Sequence, residues 1–171
     1  MSLAADQKTL GVIKKPTEAD LQTEVVLFTD GACLGNPGPG GWGYILRHRK
    51  TGAEVECSGG EPETTNNRME MLAVIEGLLA MKRQTSVEIV SDSEYVLRGL
   101  RDWMPGWKKK GWKRSGSTAV KNIDLWQELD RLTSIHRVVV THVRGHRGHP
   151  ENERCDQIAV EAAKNAANNA R

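Results

Sequence analysis

Cysteine is scarce in this chain of 171 residues. Cys33, Cys57 and Cys155 are odd in number and widely separated, which argues against a disulfide framework and for a reducing compartment. No CxxC pair occurs, so nothing in the sequence supports a thiolate zinc site. A long apolar run is also missing, and Met1 to Gly11 lacks the basic start and apolar stretch of a secretion signal. These absences predict a cytoplasmic protein with no membrane association. An excess of one charge is missing too: 24 Lys and Arg against 22 Asp and Glu leave a net charge of +2, so the distribution of charge carries the information. No internal repeat is visible.

What is present fits a globular protein. An apolar fraction of 38% and a charged fraction of 27% suit one domain with a single core. Residues 1–23 mix Lys, Asp, Glu, Thr and Pro without periodicity and read as a flexible tail. One folded domain is expected over 24–167, followed by a short tail at 168–171. Strands are predicted over 24–32, 42–49 and 53–58, with short links that suggest an antiparallel meander. In the third, Ala53, Val55 and Cys57 alternate with Glu54, Glu56 and Ser58. Gly35 to Gly41 reads as a loop throughout. A helix is expected over 67–83, a strand over 86–90, helical stretches near 93–103 and 120–132, and a β-branched strand over 137–143. Pro150 opens the last helix, with Glu151 and Glu153 suited to its dipole. Three strands followed by βαβ-like alternation predict an α/β fold with a mixed five-stranded sheet flanked by helices.

Two short apolar strands each end on an aspartate: Val25-Val26-Leu27-Phe28 runs into Asp30, and Val87-Glu88-Ile89-Val90 into Asp92. Carboxylates at the tips of buried strands are costly unless a cation neutralises them. Glu70 shares a helical face with Ala73, Val74, Gly77 and Met81, where a carboxylate is out of place unless it is functional. Asp156 borders the stripe Cys155, Ile158, Ala159, Ala162 and Ala163. Four hard oxygen donors suit Mg²⁺, with Mn²⁺ as a substitute. Such a group can hold two ions about 3.5–4 Å apart for an in-line phosphoryl displacement. Each acid taken alone is equally a turn, cap or ion-pair residue. Their combination carries the argument.

A separate segment suits a polyanion. Between Arg98 and Lys121 eight Lys or Arg face one acid, Asp102, and Trp103, Trp107 and Trp112 interleave with Lys108, Lys109, Lys110 and Lys113. The tryptophans can equally form the core of a small protrusion with a lysine face in solvent.

The chain resembles bacterial type I ribonuclease H. The matching stretches are Phe28 to Gly31 with Cys33 to Gly41, Thr64 to Glu70, Ser91 to Ser93, Trp107 to Lys109 with Gly111 to Lys113, and Gly145-His146 with Gly148 to Asp156. The resemblance implies the ribonuclease H-like fold and hydrolysis of the RNA strand of RNA–DNA hybrids with two Mg²⁺ ions, leaving 5′-phosphate and 3′-hydroxyl ends. It implies that Asp30 bridges both ions, that Glu70 and Asp92 complete the leaving-group side, and that Asp156 completes the side of the attacking water. His146, in a loop with two glycines, would assist proton transfer or product release. Cys33, Asn36, Asn66 and Asn67 would line the groove, Thr65 and Asn122 would hold a DNA phosphate, and Trp103 with Lys108, Lys109 and Lys110 would form a basic protrusion over about 103–116. Glu94 stands where relatives carry glutamine; it accepts a hydrogen bond but repels phosphate. Pro105-Gly106 is expected to break a helix in the protrusion. A monomer is expected. The rival readings are a non-catalytic hybrid-binding protein on the same fold, which would need a lost metal ligand, and a DNA nuclease or strand transferase, which leaves Thr65-Asn66-Asn67 unexplained.

Overall fold

The computed structural model describes residues 22–113, 118–144 and 148–169. Strand β1 (Val25–Cys33) lies at the centre of a five-stranded sheet. It pairs antiparallel with β2 (Gly38–His48), which pairs antiparallel with the edge strand β3 (Glu54–Thr64). On its other side β1 runs parallel to β4 (Ser86–Ser91), and β4 parallel to β5 (Arg137–His142). The order is β3-β2-β1-β4-β5. The mixed sheet expected from the sequence is present.

Side chains alternating along each strand supply two cores. Val25 and Leu27 join Val87, Ile89, Val138 and Val140 on one face. There they meet α1 (Asn66–Leu79), α2 (Glu94–Arg98) and α4 (Ile123–Ile135). Val26, Phe28, Ile45 and Val90 face the other way, against Cys155 of α5 (Pro150–Asn169). Helix α5 sits almost on the backbone of β2 and β3. A Cβ at Gly41 would lie 2.2 Å from the Ala159 carbonyl oxygen, and one at Gly60 would lie 2.7 Å from that of Ala162. Glycine facing alanine is what permits that depth of packing.

Four expectations from the sequence are corrected. Gly38 to Gly41 belong to β2 rather than to a loop: Gly40 and Gly41 pair with Cys33 and Ala32 of β1, Gly38 pairs with Thr64 of β3, and Gly41 lies directly against α5. Helix α1 ends at Leu79 instead of running to 83. Strand β3 continues to Thr64, and its alternation does not mark a buried face: Val55 is 55% exposed, since β3 is the edge of the sheet. Pro105 does not break the protrusion. It lies in the first turn of α3 (Met104–Lys109), where a missing N–H is harmless. Between α2 and α3 the chain forms a π-helical turn, Gly99–Trp103, in which the Met104 N–H reaches back to the Gly99 carbonyl.

Candidate active site

Asp30, Glu70 and Asp92 come from three elements. Asp30 lies near the C-terminal end of β1, and Asp92 follows β4, the parallel neighbour of β1. The two strand-end aspartates are therefore side by side because the strands are. Glu70 is the fifth residue of α1, whose start is fixed twice. Thr65 accepts from the Arg68 N–H at 3.3 Å as its N-cap, and the Asn66 N–H donates to Asn36 Oδ1 at 3.2 Å.

Gly31 decides how close Glu70 comes. A Cβ there would lie 2.4 Å from the Glu70 nitrogen and 2.5 Å from the Met69 carbonyl carbon. With glycine after Asp30, α1 rests directly on β1, and carboxylate oxygens of Asp30, Glu70 and Asp92 lie within 4.8 Å of one another. Asp30 is 3% exposed, and one of its oxygens accepts from the Gly31 N–H at 2.9 Å. Burial first, then the charges of Asp30 and Asp92, push the Glu70 carboxyl well above the usual glutamate range. Its Oε2 is shut off from solvent without a hydrogen-bond partner among the described residues. An orphaned acceptor beside two further carboxylates fits a divalent cation that prefers hard oxygen donors. These three residues would hold it.

The fourth expected acid, Asp156, is half-buried in the second turn of α5, outside the group of three. Asn152, one turn before it, donates from Nδ2 to the Val90 carbonyl at 3.4 Å and so ties the start of α5 to β4. His146 lies outside the described residues.

The expected substrate residues form two groups. Asn36, Asn66 and Asn67 are exposed near the start of α1, and Cys33 is half-buried, its thiol directed at the Gly38 and Thr64 carbonyls. Burial and the charge of Glu63 raise that thiol above its ordinary range. On the other side of α1, Arg68 makes a two-pronged ion pair with Asp124 at 2.8 and 3.0 Å and donates to Asn122 Oδ1 at 3.3 Å. Asn122 adopts a left-handed backbone conformation (φ 60°) and donates to the Tyr95 hydroxyl at 3.0 Å. Arg68, which no sequence pattern marks, locks α1 to α4 beside Thr65.

The protrusion is built on aromatic packing. Trp103, Trp107, Trp126 and Tyr95 have ring centroids 5.4–6.5 Å apart, and Trp112 lies 6.3 Å from Trp107. Gly99 makes room for Trp126, whose ring would lie 1.9 Å from a Cβ at that position. The lysines divide. Lys108 Nζ is 3.0 Å from Asp130 Oδ1 of α4, while Lys109 and Lys110 stand exposed.

Residues 22–164 match the RNase H family. The chain belongs to the ribonuclease H family. It is 55% identical over 141 residues to ribonuclease H of Rhodopirellula baltica, covering 81% of this chain and 89% of that one. It is 56% identical over 136 residues to ribonuclease H of Pseudomonas paraeruginosa, covering 80% and 90%. The crystal structure of LC9-RNase H1, a type 1 RNase H with the type 2 active-site motif, superposes with a TM-score of 0.74 at 37% identity, over 83% of this chain and 72% of that one. Ribonuclease H members are metal-dependent nucleases, and this one is an enzyme that hydrolyses the RNA strand of RNA–DNA hybrids. The acidic trio fits an active site. Among the described residues no helix is long and apolar enough to cross a membrane.

Proposed function

We propose that the enzyme is a Mg²⁺-dependent endoribonuclease, active in the cytoplasm as a monomer, that cuts the RNA strand of hybrids and leaves 5′-phosphate and 3′-hydroxyl ends. Support comes foremost from the buried Glu70 Oε2, which has no hydrogen-bond partner among the described residues, beside Asp30 and Asp92. Bound there, two divalent ions would supply the Lewis acidity for in-line displacement at phosphorus. Asp30 would be shared between them, Glu70 and Asp92 would hold the leaving-group side, and Asp156 would complete the opposite side. His146 would carry a proton during turnover or release of product. Cys33, Asn36, Asn66 and Asn67 would meet the minor groove, where the 2′-hydroxyls mark the RNA strand. Thr65 and Asn122, with Arg68 between them, would seat a phosphate of the DNA strand. Trp103, Lys109 and Lys110 would track the DNA backbone. Lys108 would join them only by giving up Asp130.

A hybrid labelled separately on each strand tests this. With Mg²⁺ the RNA strand is cut, the DNA strand stays whole, and plain duplex DNA is untouched. Cutting of the DNA strand, or undiminished cutting in EDTA, would refute the proposal.

A further inference from the structure

The three acids are mounted differently. Asp30 sits inside β1 opposite Gly43 of β2, and Glu70 rides on α1 where that helix packs on Gly31. Asp92 lies one residue beyond the end of β4, on the short link to α2. Its two neighbours are buried serines, Ser91 at 1% exposure and Ser93 at 8%. The Ser91 carbonyl accepts from the Val143 N–H at 3.0 Å, just past β5. Its hydroxyl oxygen accepts from the Ser93 N–H, also at 3.0 Å. Ser93 in turn caps α2, accepting from the Val96 N–H at 3.2 Å. One line of hydrogen bonds therefore runs from β5 through Ser91 and Ser93 to α2, and it passes around Asp92.

We infer that Ser91 is a positioning residue for the cation site: its hydroxyl fixes the bend at Asp92 and so keeps that carboxylate in reach of Asp30 and Glu70. The inference rests on the metal-dependent reading above. The restraint is needed on electrostatic grounds. Carboxylate oxygens within 4.8 Å of one another repel, and the repulsion is strong where Asp30 is 3% exposed. Asp92 is half-buried and stands where the sheet has ended, so an outward swing would relieve it. A hydroxyl that accepts from the N–H two residues on fixes the backbone of the residue between them. The residue type points the same way. The apolar run Val87 to Val90 would continue most simply with another apolar side chain, and a buried hydroxyl is costly unless bonded. Only a side chain with an acceptor oxygen completes this turn. Ser91 acts through Asp92 and needs no contact with substrate.

Threonine and valine share one outline and differ by the hydroxyl, so Ser91→Thr against Ser91→Val isolates the oxygen. Ser91→Ala against the parent does the same without added volume. Thr133→Val is the control for stability. It removes a hydroxyl 3% exposed and bonded to the Leu129 carbonyl, on α4, which carries none of the trio. For each full chain, Tm, the Kd of Mg²⁺ by calorimetry, and kcat and KM on a hybrid are measured. Ser91→Val and Ser91→Ala should weaken Mg²⁺ binding and lower kcat by about 10–100-fold, the usual effect of removing a group that orients a metal ligand. Hybrid KM should hardly change. Ser91→Thr should stay near the parent, and Thr133→Val should lose Tm alone. Equal Kd and kcat in Ser91→Thr and Ser91→Val would overturn the inference, as would parent values in Ser91→Ala. A loss confined to Tm, or a change confined to hybrid KM, would overturn it too. Should Ser91→Val not fold, Ser91→Ala decides. If the parent cuts no hybrid, the proposed function fails instead, and Mg²⁺ binding still judges Ser91.

Discussion

At the scale of single residues, Asp30 and Glu70 make the fold less stable so that the site can bind a cation. Burial and two negative neighbours favour the protonated form of Glu70. The folded chain therefore keeps a proton that the unfolded chain releases near pH 4.3, and folding stability falls as pH rises from there through the raised native value. Asp30→Asn removes one of the opposing charges. It should raise the stability of the metal-free protein by about 1–3 kcal/mol, several degrees in Tm at this size, and flatten its decline with pH while abolishing cleavage. Thermal unfolding in EDTA from pH 4 to pH 8 (roughly the window set by the glutamate reference value) measures this. A variant that melts below the parent at neutral pH would show that the trio is not under electrostatic stress. The acids were legible in the sequence because a carboxylate on an apolar strand end or helix face is conspicuous. The role of Gly31 was not, since its reason is the backbone of a helix 38 positions further on, which no local pattern reveals.

At the scale of elements, the site depends on how α1 meets β1 and how α3 meets α4. Gly31→Ala places a carbon 2.4 Å from the Glu70 nitrogen, so α1 must lift from the sheet. Overpacking of this kind costs about 1–3 kcal/mol. Activity should fall much further than stability, at least a hundredfold, because Glu70 moves with the helix. Comparing kcat with Tm for the variant separates the two effects, and full activity would show that the contact does not set the Glu70 position. In the protrusion, sequence spacing grouped Lys108, Lys109 and Lys110 as equals, whereas helical geometry turns Lys108 toward Asp130. Replacing Lys109 and Lys110 with Ala should reduce the salt dependence of hybrid binding by about one unit of slope per lost phosphate contact, and Lys108→Ala should change it less. Equal effects at all three positions, read by binding across a salt series, would show that the Lys108–Asp130 pair opens on the substrate. Element types were readable from apolar periodicity. The boundaries that failed at Gly38 and Thr64 lie where the pairing of β2 with β3, Gly38 opposite Thr64, carries both strands past local turn preference.

At the scale of the whole molecule, the parallel pairing of β1 with β4 turns two sequence-distant aspartates into neighbours, and α1 laid across β1 adds the third acid. The mixed topology was foreseeable from three strands followed by alternating strand and helix. The two-faced core follows from the same alternation, with Leu27 and Phe28 pointing to opposite layers. Less legible was the division of the basic segment into a tryptophan core, a lysine paired with Asp130 and further exposed lysines, because composition does not say which side chain faces which helix. The central claim is that Asp30, Glu70 and Asp92 form a divalent-cation site. Isothermal titration of Mg²⁺ into the intact protein at neutral pH tests it directly. The account predicts saturable binding, lost in Asp30→Asn. Binding that is absent, or that proceeds equally in Asp30→Asn, would contradict it.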